Sequence, residues 1–171
     1  MQLQLDRFAT PLGDLLLVFD DAGLRALDFV DFEARMLRLL RLHYGAVTLV
    51  DAPAPAGITD PLTAYFAGDA AALDSITVAT GGTAFQRNVW AALRTIPAGE
   101  TWSYGALANH IGNPGASRAV GMANGANPIG IVVPCHRVIG ANGTLTGYAG
   151  GVERKRWLLR HEGALSTERL L

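Results

Sequence analysis

Residues 103–124 read Ser103-Tyr104-Gly105-Ala106-Leu107-Ala108-Asn109-His110-Ile111-Gly112-Asn113-Pro114-Gly115-Ala116-Ser117-Arg118-Ala119-Val120-Gly121-Met122-Ala123-Asn124. Serine at the head of such a run accepts a hydrogen bond from a first-turn amide. Ser103 therefore predicts a short helix through His110. Gly112-Asn113-Pro114-Gly115 concentrates the residues that form tight turns, and Ala116 to Asn124 then reads as a second helix. Two short helices about a glycine-bearing turn are the pattern of a helix-turn-helix. Many helical hairpins share it, so the flanking sequence has to decide.

Upstream, Thr83-Ala84-Phe85-Gln86 is a capping box ahead of a helix with Phe85, Val89, Trp90 and Leu93 on one face, ended at Pro97-Ala98-Gly99. Downstream, the apolar run Ile129–Val133 leads to Cys135. Gly147-Tyr148-Ala149-Gly150-Gly151 reads as a loop. Val152–His161 reads as a helix, with Trp157, Leu158 and Leu159 for the core and Gly163 as its C-terminal cap. The first half differs. Gln2–Ala9, Asp14–Phe19 and Leu24–Val30 form a meander of three strands with turns at Pro11-Leu12-Gly13 and Asp20–Gly23. Asp31 is placed to cap a helix over residues 32–44, with Phe32, Met36, Leu39, Leu40 and His43 on one face. Val47–Val50 is a further strand and Asp51–Gly57 a loop. Asp60-Pro61 predicts a cap and first helical position for a short helix to Ala67. The fold class expected is α/β (α+β). Gly81-Gly82 marks the boundary between a mixed α/β domain, 1–80, and a mostly helical domain, 81–171.

Half of the residues are apolar, enough for a sizeable core, yet no apolar run is long enough to cross a bilayer. The net charge of −1 hides an asymmetry. Residues 1–80 hold five arginines against eleven acidic residues, a balance of −6, and residues 81–171 hold nine basic against four acidic, a balance of +5. That suits either an anion-facing second half or an ordinary solvated surface. Met1–Leu5 lacks a basic leader, and with a single thiol the chain is expected in a reducing cytoplasm.

That thiol is Cys135, within Ile131-Val132-Val133-Pro134-Cys135-His136-Arg137-Val138-Ile139. One cysteine closes no internal disulfide and cannot supply a common structural zinc site. It is either a buried small hydrophobe or a reactive thiol. A reactive thiol needs a base, and a base benefits from an orienting carboxylate. His136 is adjacent, but in an extended segment neighbours face opposite ways, so a helical turn or a bridging water is required. Glu162 is the candidate carboxylate.

Pro134-Cys135-His136-Arg137-Val138 resembles the active-site signature of the O6-alkylguanine-DNA alkyltransferases, the methylated-DNA–protein-cysteine methyltransferases. Phe85-Gln86, Val89-Trp90, Ile96-Pro97, Gly99-Glu100-Thr101, Ser103-Tyr104, Asn113-Pro114, Ser117–Gly121 and Asn127-Pro128 are similar to the family's pattern and follow its order. Gly147–Gly151 and Trp157–Gly163 complete it. The resemblance is dense over residues 80–163 and looser around Tyr65-Phe66.

The resemblance implies a ribonuclease-H-like N-terminal sheet and a winged helix-turn-helix-like C-terminal domain. It implies an irreversible, single-turnover transfer of an alkyl group from O6-alkylguanine, and also O4-alkylthymine, in double-stranded DNA to Cys135. His136 would take the thiol proton through a water, polarised by Glu162. Tyr104 would donate to the purine as charge develops. Ala116, Ser117, Arg118, Ala119 and Gly121 would face the minor groove, with Arg118 replacing the flipped base. Asn127 would form a hinge. The carbonyl of Val138, the amide of Ala149, Tyr148 and Gly130 would bound the base. Gly130 and Ala149 are smaller than the residues of some relatives, which implies a fairly open pocket. No cofactor, metal or membrane is expected, and the chain is expected to be a monomer. A cysteine hydrolase and a non-catalytic lesion sensor are the alternative classes.

Overall fold

The computed structural model describes residues 1–143, 145 and 147–164, which form two units. The first comprises Met1–Gly82 together with Pro128–Val132, and the second Thr83–Asn127 together with Val133–Leu171.

In the first unit, β1 (Gln2–Phe8), β2 (Leu15–Asp20), β3 (Gly23–Phe29) and β4 (Thr48–Asp51) form a mixed sheet in the order β3-β2-β1-β4. The meander pairs antiparallel, while β4 runs parallel to β1. Leu15 to Phe19 are all buried, so β2 is covered on both faces, and its sequence is correspondingly apolar without alternation. Helix α1 (Glu33–Tyr44) buries Met36, Leu39 and Leu40, at the spacing of one helical stripe. Met36 and Leu40 join Leu3, Leu16, Val18 and Ala26 in one cluster. Each leucine, valine or methionine of the cluster contributes roughly 1.5–3 kcal/mol through burial.

Two helix starts depart from the sequence reading. Phe32, not Asp31, is the N-cap of α1 and makes no side-chain capping bond, because a 3-10 turn over Val30–Phe32 absorbs Asp31. Helix α2 (Ala56–Phe66) begins a turn before Asp60, with Pro61 inside it. Ile58, Leu62 and Tyr65 lie one above another on its buried face, and burial of Ile58 extends the helix upstream. Pro61 lacks the amide that would bond the Gly57 carbonyl one turn back, so the helix forgoes one backbone bond there.

Gly23 (φ 133°) is required by its surroundings: a Cβ there would stand 2.6 Å from the Thr77 carbonyl oxygen. That approach lets Leu24 pair with the chain at Val78. On the other side, Leu27 pairs with Ile129, its amide donating to Pro128 O (3.0 Å) and its carbonyl accepting from Gly130 N (3.1 Å). Ile131 then takes φ 69°, a left-handed conformation that a β-branched residue rarely adopts, within a turn closed from Val132 N to Gly130 O (2.8 Å). Such strain costs on the order of 1–3 kcal/mol.

In the second unit, the capping box forms as read: Gln86 N donates to Thr83 Oγ1 (3.1 Å) and Thr83 N to Gln86 Oε1 (3.0 Å). It starts α3 (Ala84–Leu93), which buries Val89, Trp90, Ala92 and Leu93. Ser103 caps α4 (Tyr104–His110) through Ala106 N (3.0 Å). After the turn comes α5 (Ser117–Gly125), tied down by the Trp90 indole N–H donating to Ala123 O (2.8 Å). Two short parallel strands, β5 (Trp102–Ser103) and β6 (Val138–Ile139), join the start of α4 to the segment after Cys135. Helix α6 (Val152–His161) buries Leu158 and Leu159. Trp157, expected in the core, is only half-buried and stacks on His161 one turn later, centroids 4.6 Å apart.

Candidate active site

Cys135 opens a single 3-10 turn, Cys135–Arg137, immediately after Pro134. The turn follows from local geometry. Pro134 has φ −83° and ψ 65°, which folds Cys135 N–H back onto Val133 O (2.8 Å), and Arg137 N then closes on Pro134 O (3.0 Å). The segment is therefore not extended at the thiol. Cys135, His136 and Arg137 are all buried, Cys135 at 6% exposure.

Two asparagines fasten the carbonyls around the thiol. Asn127 Nδ2 donates to Val133 O (2.8 Å) and Asn124 Nδ2 to Cys135 O (3.4 Å), and both residues are buried. Asn124, on α5, was not among the residues singled out from the sequence; a polar residue on the buried phase of a helix, four residues after Val120, is the signal that was present.

Behind the thiol lies a buried ionic cluster. Glu162 Oε2 accepts from His136 Nε2 at 2.8 Å, and Arg137 holds the same carboxylate with Nε (2.8 Å) and Nη2 (3.1 Å). The third arm of Arg137 donates to Ile96 O (2.7 Å). A Schellman closure places Glu162: Gly163 N bonds Arg160 O (3.0 Å), Ala164 N bonds Leu159 O (2.9 Å), and Gly163 has φ 75°. The carboxylate thus sits at the C-cap of α6. Burial acts to raise its pKa, but the His136 and Arg137 partners outweigh burial and hold it well below the usual carboxylate range. An ionised carboxylate only accepts, so the shared proton belongs on His136 Nε2. A neutral ring then presents a lone pair at Nδ1, which is buried and has no hydrogen-bond partner among the described residues. That is the arrangement of a base. The arginine was legible only as part of the signature, although a buried guanidinium demands a carboxylate.

Lys155 is fully buried and donates to Val138 O (2.7 Å). Burial lowers its pKa to about 8, opposed by its attraction to Cys135. Within Arg154-Lys155-Arg156 it reads as a solvated charge run. Its phase, three and four residues before Leu158 and Leu159, is that of the buried face.

The other expected residues fall in several places. Tyr148 lies edge-on to His136, centroids 6.4 Å apart. Ala149 is half-buried in the turn that Gly151 N closes on Tyr148 O (2.9 Å). Tyr104 is half-buried, and α5 runs so close beneath its ring that a Cβ on Gly121 would stand 3.7 Å from Cδ1. On α5, Arg118 and Ala119 are exposed, and Ala116, Ser117 and Gly121 are half-buried. Gly130 groups with the first unit.

Comparison with known proteins places both units. The model of the DNA-binding domain of 6-O-methylguanine DNA methyltransferases matches residues 84–164, and that of their ribonuclease-like domain residues 7–80. The methylated-DNA–protein-cysteine methyltransferase of Salmonella typhimurium is 57% identical over 168 residues, covering 96% of this chain and 98% of the relative. A crystal structure of the O6-methylguanine methyltransferase of Mycobacterium tuberculosis aligns with a TM-score of 0.77 at 43% identity, over 95% of this chain and 93% of that one. A structure of the M. tuberculosis protein in complex with DNA aligns with a TM-score of 0.78 at 42% identity, over 99% and 95%. With a mixed α/β unit and a helix-turn-helix unit each matched along its length, the chain belongs to the 6-O-methylguanine DNA methyltransferase family.

Proposed function

We propose that this protein repairs alkylated double-stranded DNA by moving the alkyl group of O6-alkylguanine onto Cys135, once per molecule. The observation that carries this reading is the buried Glu162–His136 pair behind a lone thiol whose neighbouring turn is locked. The second unit reads the DNA and accepts the alkyl group, and the first supports it. No helix among the described residues is long and apolar enough to cross a membrane. The working setting is the cytoplasm, as a monomer.

The lesion lies within a stacked duplex, so the nucleotide swings out at a cost of a few kcal/mol. The small residues Ala116, Ser117, Ala119 and Gly121 let α5 approach the minor groove, and Arg118 fills the gap left in the stack. Tyr148, the Val138 carbonyl and the Ala149 amide bound the base. Lys155 holds that carbonyl in place and adds positive charge to the site. The Cys135 proton passes through a water to His136 Nδ1, and Glu162 stabilises the resulting imidazolium. The Sγ–C bond forms as the C–O6 bond breaks, leaving the electron pair on the purine, where the Tyr104 hydroxyl donates a hydrogen bond to the ring nitrogen as charge develops. Asn127 keeps the thiol segment in register throughout. O4-alkylthymine fits the same displacement chemistry as a second substrate. Acyl transfer does not suit the site, because the Cys135 amide is already committed to Val133 O and cannot serve an oxyanion.

The test is intact-mass measurement after incubation with duplex DNA carrying O6-methylguanine. One methyl group on wild type and none on Cys135→Ser is the expected result. Repeated turnover by substoichiometric protein would overturn the reading.

A further inference from the structure

The face that α5 turns to solvent is not made of small residues throughout. Arg118, Ala119, Met122 and Gly125 are its exposed positions, and Met122 is 74% exposed, the most exposed of the large hydrophobic residues described. Arg118 and Met122 are four residues apart, so their side chains stand over the same strip of helix, about 6 Å from each other. An isolated exposed apolar side chain is ordinary on a protein surface. Three observations set this one apart. It is the single bulky apolar group on a helix face otherwise built of alanine and glycine beside one arginine. It lies between Glu100 and Glu153, an interval without one carboxylate, as suits a surface that meets phosphates. The buried side of α5 is fixed by Val120, Ala123 and the Trp90 bond, so the helix cannot roll to hide it.

We infer that Met122 is an apolar wedge for duplex DNA, packing into the minor groove beside the arginine and prising apart the stack next to the lesion. Flexible apolar side chains inserted at a base step unstack it and bend the duplex. Met122 thus acts on extrusion of the nucleotide and leaves the transfer step alone. The inference rests on the proposed minor-groove role of α5.

The experiment compares wild type, Arg118→Ala, Met122→Ala and Met122→Leu in three assays. Single-turnover transfer is followed from duplex O6-methylguanine DNA and from the free O6-methylguanine base, and 2-aminopurine beside the lesion reports unstacking. Met122→Ala should slow duplex transfer about tenfold, the scale of losing one buried apolar side chain, and weaken the 2-aminopurine signal. It should leave reaction with the free base unchanged, and Met122→Leu should restore most of the duplex rate. Full duplex activity and full 2-aminopurine signal in Met122→Ala, with Arg118→Ala impaired, would overturn the wedge. If Arg118→Ala were also fully active on duplex, the assignment of α5 to DNA would itself fall.

Discussion

Among the described residues each unit buries one carboxylate beside an arginine, and the two behave in opposite ways. Asp28, on β3, accepts from Arg35 Nη1 (2.9 Å) and from the amide of Phe29 (3.0 Å). Burial raises its pKa, Asp31 adds to that effect, and Arg35 does not offset them. Glu162 meets the same burial but accepts three hydrogen bonds from two side chains, and ends well below the ordinary value. The difference is one of donor number and geometry: a forked guanidinium plus an imidazole N–H offsets desolvation, and a single arm does not. A carboxylate kept ionised without water is what holds a histidine ready as a base. Asp28 secures a strand to a helix and needs no such strength.

The largest effect should follow from Glu162→Gln, which leaves Arg137 and His136 without their anion. Urea unfolding should show a loss of roughly 3–5 kcal/mol, and Cys135 alkylation by iodoacetamide should slow about a hundredfold. Retained rate with lost stability would detach the carboxylate from the chemistry. Next in size, Arg137→Lys keeps the charge but loses the fork and the Ile96 contact, costing about 2 kcal/mol in the same unfolding assay.

Acid titration of stability separates the two carboxylates by sign. Glu162 has a depressed folded pKa, so its stabilisation is full above the unfolded value of about 4.3 and drains away as the pH falls below it. Asp28 has a raised folded pKa, so its protonation during acidification adds relative stability. Glu162→Gln should therefore flatten the acid limb, while Asp28→Asn should steepen it slightly. A shared response would erase the distinction. The smallest change belongs to Asp28→Asn at neutral pH: within about 1 kcal/mol of wild type, with methyl transfer unaltered.

The sequence disclosed whatever rested on local pattern. The three-strand meander, the Thr83 box, the Ser103 cap and the Gly163 stop all depend on residues within a few positions of one another. It misplaced the starts of α1 and α2, where a 3-10 turn and the buried face through Ile58 overrode capping residues. At the site, Cys135, His136 and Glu162 are legible as a lone thiol, its neighbouring base and a candidate carboxylate, the family resemblance gives them their roles, and their mutual distances needed the fold. Arg137, Lys155 and Asn124 escaped because their partners lie 25, 17 and 11 residues away, beyond any local pattern.

The grouping of Pro128–Val132 with the first unit has a consequence for handling this protein. Two beads on one string can be cut apart, but here the string passes from one unit to the other at three places: after Gly82, after Asn127 and after Val132. The last crossing comes three residues before the nucleophile. Removing residues 1–80 would strip the partner strand from Ile129 and bare Ile131 and Val132 directly ahead of Cys135. A split-protein reporter divided at Gly81-Gly82 accordingly leaves a C-terminal fragment whose working end is unmoored.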